Sequence, residues 1–501
     1  MGNCAVKRIW LATLMLAALG TASAAAPVTI NIAIGSEPSS LDPQLVQDGA
    51  ERWVNDNTYD TLMVRNAAGV LAPGLAAEMP KPIDPTTWQF KLRPGIKFHD
   101  GEPLNADTVV HSVKRILDPN FKSRQLSWVN TLVQAEKVDD LTVNVKTKGP
   151  DPVLPSRMYW MKIVPIEASK NQNFAARSVG SGPYRFVEWV RGQRIVLELN
   201  PNYWGPKPEV ERIVYRFVPE PGTRLAGLKS GDFDIITQLL PEYQKEVPQL
   251  ASTSGPEVGV FVPNLRDPNN VVADIRVRRA MQLAIDREAI AKELFQGFAE
   301  PTHNQLVGKG WFGFKESIKP YAYDPKEARR LLQEAGAIGK TVEVITVSGR
   351  WLKDREQVEA ISGFWEAVGL KVNVRLLEWK EYLDRIFDQK NRPQILFALH
   401  GNPLFDADRP YTTYLKSGGE SGSISSVARP DLDKMIDEAR TELDLAKRQA
   451  IYEGIAQAVS DDLIYIFLMQ AQDIYGLSKR MEWQPRTDGK LIIMDMRVRK
   501  S

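Results

Sequence analysis

Short segments in which apolar and polar residues alternate recur along the chain, and segments with a helical period separate them. The segment "WQFKL" places Trp88, Phe90 and Leu92 on one face, which is typical of a half-buried strand. "RIVLEL" predicts another strand, while "TVEVITV" and "KVNVRLLEW" flank a helical segment and indicate a β-α-β unit. The continuous apolar run "LIYIFLM" (463–469) is typical of a strand buried on both faces. The pattern predicts an α/β protein.

A predicted helix, "NADTVVHSVKRIL", begins after the capping residue Asn105. Its apolar face consists of Val109, Val110, Val113, Ile116 and Leu117. His111 falls on the opposite, solvent-facing side, together with Asp107, Lys114 and Arg115. We therefore predict that His111 belongs to the scaffold and is not catalytic.

Further helices are bounded by capping residues. In "DPKEARRLLQEAG", Asp324 is the predicted N-cap, Glu327 would close a capping box, and Gly336 would end the helix. "DREAIAKELFQG" is predicted to begin at Asp286 and to stop at Gly297, and "DIRVRRAMQLAI" before it is amphipathic. The chain shows no internal repeat and no low-complexity segment.

Length and composition restrict the class of protein. A chain of 501 residues predicts about two to four domains. Charged residues make up 25% and hydrophobic residues 43%, as in ordinary soluble globular proteins. The net charge is +2 without a long block of one sign, so no nucleic acid and no anionic membrane surface is indicated as a partner.

The N-terminal stretch "MGNCAVKRIWLATLMLAALGTASAAAPVT" differs from the rest. It has a basic start, an apolar run and then small residues, which predicts a signal peptide over residues 1–24 with cleavage after Ala24 or Ala26. The alternative is a buried N-terminal helix. Cys4, the only cysteine, precedes the apolar run, so we expect neither a lipid anchor nor a disulfide. No later stretch approaches about 18 consecutive apolar residues, which favours a soluble, exported protein.

The sequence contains few residues that catalysis requires. The four histidines are not arranged as H-E-x-x-H, and a zinc site would lack cysteine ligands. "GESGS" (419–423) lacks the last glycine of a nucleophile elbow. "GKGWFG" (308–313) matches a phosphate-binding pattern, but Pro320 follows where a helix should begin, which favours a plain glycine-rich loop. His99 lies beside an Asp-Gly turn, where we expect it to bond the local backbone. We predict no enzyme activity, no metal and no cofactor.

Six stretches, in order, resemble one family. They are "SEPSSLDP", "LAPGLAAEMP", "WQFKLRPGIKFHDGEPLNADTVVHSVKRIL", "VGSGPYRFVEW" with "LNPNYWG", "DIRVRRAMQLAIDREAIAKELFQGFAEP" and "YDPKEARRLLQEAG". Together they resemble the family 5 extracellular solute-binding proteins, the dipeptide, oligopeptide and nickel receptors of ABC importers. The resemblance covers nearly the whole chain after the signal peptide.

The resemblance implies a two-lobe periplasmic-binding-protein fold with an extra inserted domain and a ligand cleft between lobes joined by a hinge. Lobe I would comprise 27–59, 179–266 and 479–501, the inserted domain 60–178 and lobe II 267–478. It implies a monomeric periplasmic receptor that captures a small solute and delivers it to an ABC permease. We expect a peptide-like or carboxylate-bearing solute. Alternatives are a nickel chelate, haem, an opine or an oligosaccharide and, from another class, a periplasmic hydrolase.

The resemblance also implies site residues. Peptide-binding members hold the α-ammonium group with an aspartate that follows a cleft-lining tryptophan. Trp379 matches that tryptophan, but Asn402 stands at the place of the aspartate, and a neutral amide cannot neutralise an ammonium ion. Asp406 or Asp408 would replace it if the alignment shifts.

Arginines that bind the peptide in the oligopeptide receptor have no counterpart, since Leu396 and Ile386 fall near their places. Arg350 matches the dipeptide receptor's carboxylate-binding arginine and would clamp a carboxylate; alternatively it is a solvated loop residue.

The remaining candidates come from four places in the chain. Gln47, Asp48 and Gly49 fall where the family's first strand reaches the ligand. His400 and Gly401 adjoin Asn402, and one histidine does not by itself make a metal or haem site. Trp128 and Trp311 are further candidate cleft residues, with a core position as the alternative.

Overall fold

The computed structural model describes residues 27–46, 49–66, 69–388, 392–418, 425 and 427–499. The predicted signal peptide, the candidate site residues Gln47 and Asp48, and the "GESGS" segment lie outside the described residues.

The strands fall into five sheets. In chain order they are β1 (Thr29–Ile34), β2 (Met63–Arg65), β3 (Leu71–Pro73), β4 (Lys81–Asp84), β5 (Thr87–Lys91), β6 (Leu132–Asp139), β7 (Thr142–Thr147), β8 (Tyr184–Val190), β9 (Arg194–Leu199), β10 (Arg212–Phe217), β11 (Ile235–Ile236), β12 (Gln249–Ser254), β13 (Glu257–Pro263), β14 (Ala299–Pro301), β15 (Thr341–Thr346), β16 (Lys371–Leu376), β17 (Ile395–Gly401), β18 (Ile466–Phe467), β19 (Met469–Leu477), β20 (Met481–Glu482) and β21 (Arg497–Val498).

Helices connect and cover these strands. They are α1 (Gly49–Thr58), α2 (Ala106–Leu117), α3 (Leu154–Arg157), α4 (Pro221–Ser230), α5 (Ile275–Leu283), α6 (Arg287–Ala289), α7 (Pro325–Glu334), α8 (Asp354–Val368), α9 (Trp379–Phe387), α10 (Asp408–Pro410), α11 (Pro430–Thr441) and α12 (Leu445–Asp461). Short 3-10 turns occupy Leu126–Trp128, Ala168–Lys170, Pro241–Tyr243, Val271–Ala273 and Ile493–Asp495, and π-helical turns occupy Ile290–Leu294 and Tyr411–Leu415.

Three sheets organise the molecule. An eight-stranded sheet, in the order β12-β19-β11-β1-β10-β9-β8 with β14 beside β19, forms what we call the first lobe. A five-stranded sheet, β16-β15-β17-β13-β18, forms the second lobe, and a four-stranded sheet, β4-β5-β7-β6, forms the insert. β2 pairs with β3, and β20 pairs with β21.

The second lobe has a core on each face of its sheet. Along β13, Val258, Val260 and Val262 join the core shared with α11 and α12. Phe261 points to the opposite core, where Trp365 of α8 lies against it at 4.8 Å between ring centroids. This alternation follows from the period of two in a strand. β13 is therefore apolar on both faces, and helices cover both faces.

Two of the connections between the lobes are hydrogen-bonded to each other. The first runs from β12 through Gly255 and Pro256 into β13, and the second from β18 through Leu468 into β19. The Gly255 amide donates to the Ala471 carbonyl at 3.1 Å, and the Leu468 amide donates to the Gly259 carbonyl at 3.0 Å. We call this pair of crossings the hinge ribbon.

The hinge ribbon corrects one sequence-based expectation. The run "LIYIFLM" is not one strand, because β18 pairs in the five-stranded sheet and β19 in the eight-stranded sheet. Its residues are all buried, and six of them fill the two cores of the second lobe: Ile464, Tyr465 and Phe467 on one face, and Ile466, Leu468 and Met469 on the other. β13 pairs in the second-lobe sheet and β19 in the first-lobe sheet, and the domain boundaries after residues 266 and 478 stay predictions.

The capped helices form where the sequence predicts them. Asn105 caps α2 and forms a capping box with Thr108, and Asp324 accepts from the Glu327 amide at the start of α7. The predicted capping box of α7 is wrong, because the Glu327 carboxylate binds Arg330 of the next turn at 2.6 Å. The predicted helix after Asp286 begins as α6 and continues as a π-helical turn.

The histidines near α2 are structural. His111 is half-buried rather than solvent-facing, with its Nε2 2.7 Å from the Ser169 hydroxyl. His99 accepts from the Gly180 amide at 3.2 Å through Nδ1, and its Nε2 lies 3.0 Å from the Gly182 carbonyl. Both rings tie loops to the scaffold.

The segment that His99 holds also fixes α1. The Gly182 amide donates to the Thr58 carbonyl at 3.0 Å. A Cβ on Gly180 would overlap that carbonyl oxygen. The end of α1 therefore leaves no room for a side chain at position 180.

We expect Gly180→Ala to lower the free energy of unfolding by about 3 kcal/mol, because backbone must move to admit the methyl group. Gly149→Ala is the matched control, since nothing lies within 4 Å of its Cβ position. Urea unfolding of both variants checks this. Equal stabilities of the two variants would contradict this, because they would show that the end of α1 can move aside for the methyl group without a loss of stability.

Candidate functional site

Three candidate residues lie at one edge of the second lobe. β15 runs parallel to both β16 and β17. Arg350, Trp379 and Asn402 each follow the carboxyl end of one of these strands. Ligands of open α/β sheets bind at this edge, where loops from neighbouring strands converge.

Arg350 and Trp379 form an aromatic and cationic surface. The Arg350 guanidinium carbon lies 5.3 Å from the Trp379 ring centroid and 5.7 Å from that of Trp351. Trp379 stacks on Tyr382 at 5.4 Å and is 41% exposed. The loop before them is fixed, because the backbone amides of Arg350 and Trp351 donate to the Asp354 carboxylate at 2.8 and 2.9 Å.

Asn402 lies next to the hinge ribbon. Its amide donates to the Pro256 carbonyl at 2.9 Å. Its side chain is fully buried, yet neither Oδ1 nor Nδ2 has a hydrogen-bond partner in the described part of the chain. Such an unpartnered group costs about 1–3 kcal/mol. The Asn402 side chain therefore carries one donor group and one acceptor group that are not satisfied.

His400 is a packed side chain behind this edge. Its ring stacks on Tyr414 at 3.9 Å and meets Tyr465 edge-on at 5.8 Å. Burial lowers the pKa of His400 to about 3, so the ring is neutral near pH 7. The Gly401 carbonyl accepts from the Tyr414 hydroxyl at 3.3 Å. Across the described residues, no group of three or more histidine, cysteine and acidic side chains is placed to hold a metal ion.

The alternative anchors Asp406 and Asp408 are already paired. Asp406 accepts two hydrogen bonds from Arg448, at 2.6 and 2.7 Å. Asp408 accepts from Arg157 at 2.7 Å and from Arg440 at 3.1 Å. Burial alone would raise the pKa of the Asp408 carboxyl, but the charges of these three arginines hold it below its usual range. Neither aspartate is available to a solute's ammonium group.

Residues 402–409, which we call the seam loop, join the second lobe to the insert. Trp160 donates through Nε1 to the Pro403 carbonyl at 2.8 Å, and Arg65 donates to the Leu404 carbonyl at 2.9 Å. The Leu404 side chain is 1% exposed and belongs to the hydrophobic core of the insert. The Arg157–Asp408 ion pair spans the same contact.

The glycine-rich segment "GKGWFG" supports the seam loop. The Phe312 amide donates to the Phe405 carbonyl at 3.1 Å, and the Ala407 amide donates to the Phe312 carbonyl at 2.9 Å. The next helix is α7, well beyond this loop, so no helix N-terminus lies directly behind the loop as phosphate binding would require. Trp311 meets Phe405 edge-on, and Trp128 meets Trp160 in the same way, so both pack beside the seam.

Two charged residues near the hinge ribbon and the seam loop, Arg52 and Asp473, were not among the sequence-based candidates. Gly49 begins α1, and one turn later Arg52 lies 5.8 Å from the Trp160 ring centroid. Asp473 lies on β19, beside the hinge ribbon. The one available signal was an acidic residue inside the largely apolar segment "FLMQAQDIYGL".

Comparison with known proteins places this geometry in context. The family model described as bacterial extracellular solute-binding proteins, family 5, middle, matches residues 70–422. The dipeptide-binding protein of Escherichia coli is 26% identical over 488 residues, covering 90% of each chain. The glutathione-binding protein GsiB of Pectobacterium atrosepticum is 25% identical over 510 residues, covering 96% of each.

Among solved structures, NikA of Brucella suis in complex with Fe(III)-EDTA matches with a TM-score of 0.84 at 22% identity, over 94% of this chain and 100% of that one. The predicted two-lobe α/β fold is confirmed. Of the helices described, none combines the length and the apolar character that a membrane span requires.

The Arg157–Asp408 pair tests the seam. We expect Asp408→Asn to lower the free energy of unfolding by about 3–5 kcal/mol, because it leaves Arg157 buried without full charge compensation. Urea unfolding measures this. Asp384→Asn is the control, since its pair with Lys380 is exposed, and should leave the midpoint unchanged. Equal midpoints for the two variants would contradict a stabilising seam.

His400 predicts a pH effect. The unfolded chain protonates this histidine below pH about 6.5, whereas the folded protein resists protonation down to about 3. Stability is therefore complete above pH 6.5 and falls as the pH drops. We expect the stability of His400→Phe relative to the unmodified protein to rise by about 2 kcal/mol from pH 7 to 5 and to stay flat from pH 8 to 7. A pH-independent difference would contradict this.

Proposed function

The chain belongs to the bacterial extracellular solute-binding proteins of family 5, and we propose that it captures a small peptide-like solute between its lobes and presents it to an ABC permease. The observation that carries the proposal is Asn402, a fully buried amide at the hinge ribbon whose Oδ1 and Nδ2 have no partner in the described residues. A solute enclosed there would satisfy both atoms in a site from which water is expelled.

We propose that the solute lies along the edge from Asn402 to Arg350. Arg350 with Trp379 offers a guanidinium for a carboxylate and an aromatic face for an apolar side chain. Gly401 and the α1 start, with Gln47, Asp48 and Gly49, would contribute the remaining wall, and His400 would support it from behind. The relatives named for dipeptide and glutathione binding favour a peptide-like solute.

We further propose that the lobes divide at the hinge ribbon, so that closure is a rotation about residues 255–256 and 468. The basic, apolar and small-residue pattern of residues 1–24 supports export to the periplasm with removal of that segment. We propose a monomer that releases its solute unaltered to the permease and binds no nucleic acid.

A panel of dipeptides and tripeptides tests the proposal. At a hundredfold excess over Kd, a bound peptide should stabilise the protein by about 2.7 kcal/mol and raise its thermal midpoint. Tryptophan fluorescence should change as Trp379 is covered. Trp379→Phe should remove most of that change, whereas Trp88→Phe, in strand β5 of the insert, should not. Cleaved peptides in the mass spectrum, or a panel that moves neither signal, would overturn the proposal.

A further inference from the structure

Two opposite charges face each other where the first lobe meets the hinge ribbon. Arg52 projects from α1 and Asp473 from β19, and both side chains are half-buried. Arg52 Nη2 and Asp473 Oδ2 lie 3.3 and 3.6 Å from the position that a Cβ on Gly489 would occupy. The two groups therefore lie within about 7 Å of each other beside Gly489.

Neither group has a direct partner. Within the described part of the chain, neither side chain makes a hydrogen bond, and neither has an oppositely charged group within 4.0 Å. The fully buried arginines all have direct partners: Arg157, Arg448 and Arg486 pair with carboxylates, and Arg224, Arg278 and Arg287 donate to backbone carbonyls. Partly burying a charge that has no direct partner costs free energy, so Arg52 and Asp473 need an explanation that these arginines do not.

Each group is linked to the neighbours of Asn402 through one intervening residue. Asp473 Oδ1 is 4.0 Å from the Cβ position of Gly255, and the next residue, Pro256, accepts the hydrogen bond from the Asn402 amide. On the other side, the Trp160 ring beside Arg52 donates to the carbonyl of Pro403, which follows Asn402. Asn402 is a neutral amide of the second lobe. The first lobe supplies the charged groups on the other side of the hinge ribbon, Asp473 and Arg52.

We propose that Arg52 and Asp473 together bind a free α-amino acid head group of the solute, Arg52 the α-carboxylate and Asp473 the α-ammonium. The inference rests on the proposed function and deepens it. Charges on a single carbon fit two opposite charges that lie within about 7 Å of each other, whereas the terminal charges of an α-linked peptide are at least one residue apart, about 3.8 Å from Cα to Cα. The solute class is therefore a γ-glutamyl peptide or another side-chain-linked amino acid.

The electrostatics agree with this assignment. Burial raises the pKa of Asp473, and the charge of Arg52 opposes the rise. An ammonium group would stabilise the ionised carboxylate further, because opposite charges in a partly desolvated site attract strongly. Asn402 would add hydrogen bonds without a charge of its own.

Two isomers test the inference with identical composition and charge. γ-Glutamyl-leucine has its ammonium and a carboxylate on one carbon, and α-glutamyl-leucine does not. By calorimetry, we expect the γ-isomer to bind on the order of thirtyfold more tightly, as for a desolvated charge pair that is kept rather than broken. Asp473→Asn and Arg52→Gln should each remove this preference. Asp232→Asn and Arg216→Gln, which change exposed residues, should preserve it.

Each other outcome is decisive. Equal binding of the isomers, a preference for the α-isomer, binding of neither, or a preference that survives Asp473→Asn overturns the inference. A pair with a merely structural role would lower the thermal midpoint of both variants and weaken both isomers equally. If other peptides still bind, the proposed function stands without this head-group site. If no peptide of any linkage binds, both fail.

Discussion

The hydrogen bonds between the two chain crossings are the constraint on which the other features depend. Because the Gly255 amide reaches Ala471 and the Leu468 amide reaches Gly259, the crossings move as one ribbon and leave the lobes little freedom except rotation about it. The same ribbon brings Asn402 of the second lobe and Asp473 of the first to one place. Any solute held there contacts both lobes at their axis.

Much of the fold was predictable from local signals. β9 has the bounds that alternation predicts. α2 and α7 begin directly after Asn105 and Asp324, because the side chains of these two residues accept hydrogen bonds from free amides of the first turn. The run "LIYIFLM" misled because its side chains fill the cores on both faces of the second-lobe sheet, and side-chain burial does not show where the backbone pairing passes from one sheet to another. Only the pairing partners of β18 and β19 show that point, and those partners are distant in sequence.

The candidate site was predictable only where a family resemblance marked a position. Trp379 and Asn402 were found in that way. Arg52 and Asp473 were not, because they became candidates through the absence of a hydrogen-bond or ion-pair partner. That absence can be read only from the folded chain. Asp408 shows the converse, since its sequence neighbours give no hint that Arg157, from the insert, neutralises it. Long-range pairing decides which charges remain free for a solute.

The Leu404 side chain bears on the balance between closed and open lobes. It contacts the core of the insert from the second lobe and is 1% exposed. Separating the second lobe from the insert at this contact would return the side chain to water, at a cost of about 1.5–3 kcal/mol, which corresponds to roughly ten- to a hundredfold in the ratio of closed to open protein. A leucine outside the candidate site would therefore bias the protein towards the closed arrangement.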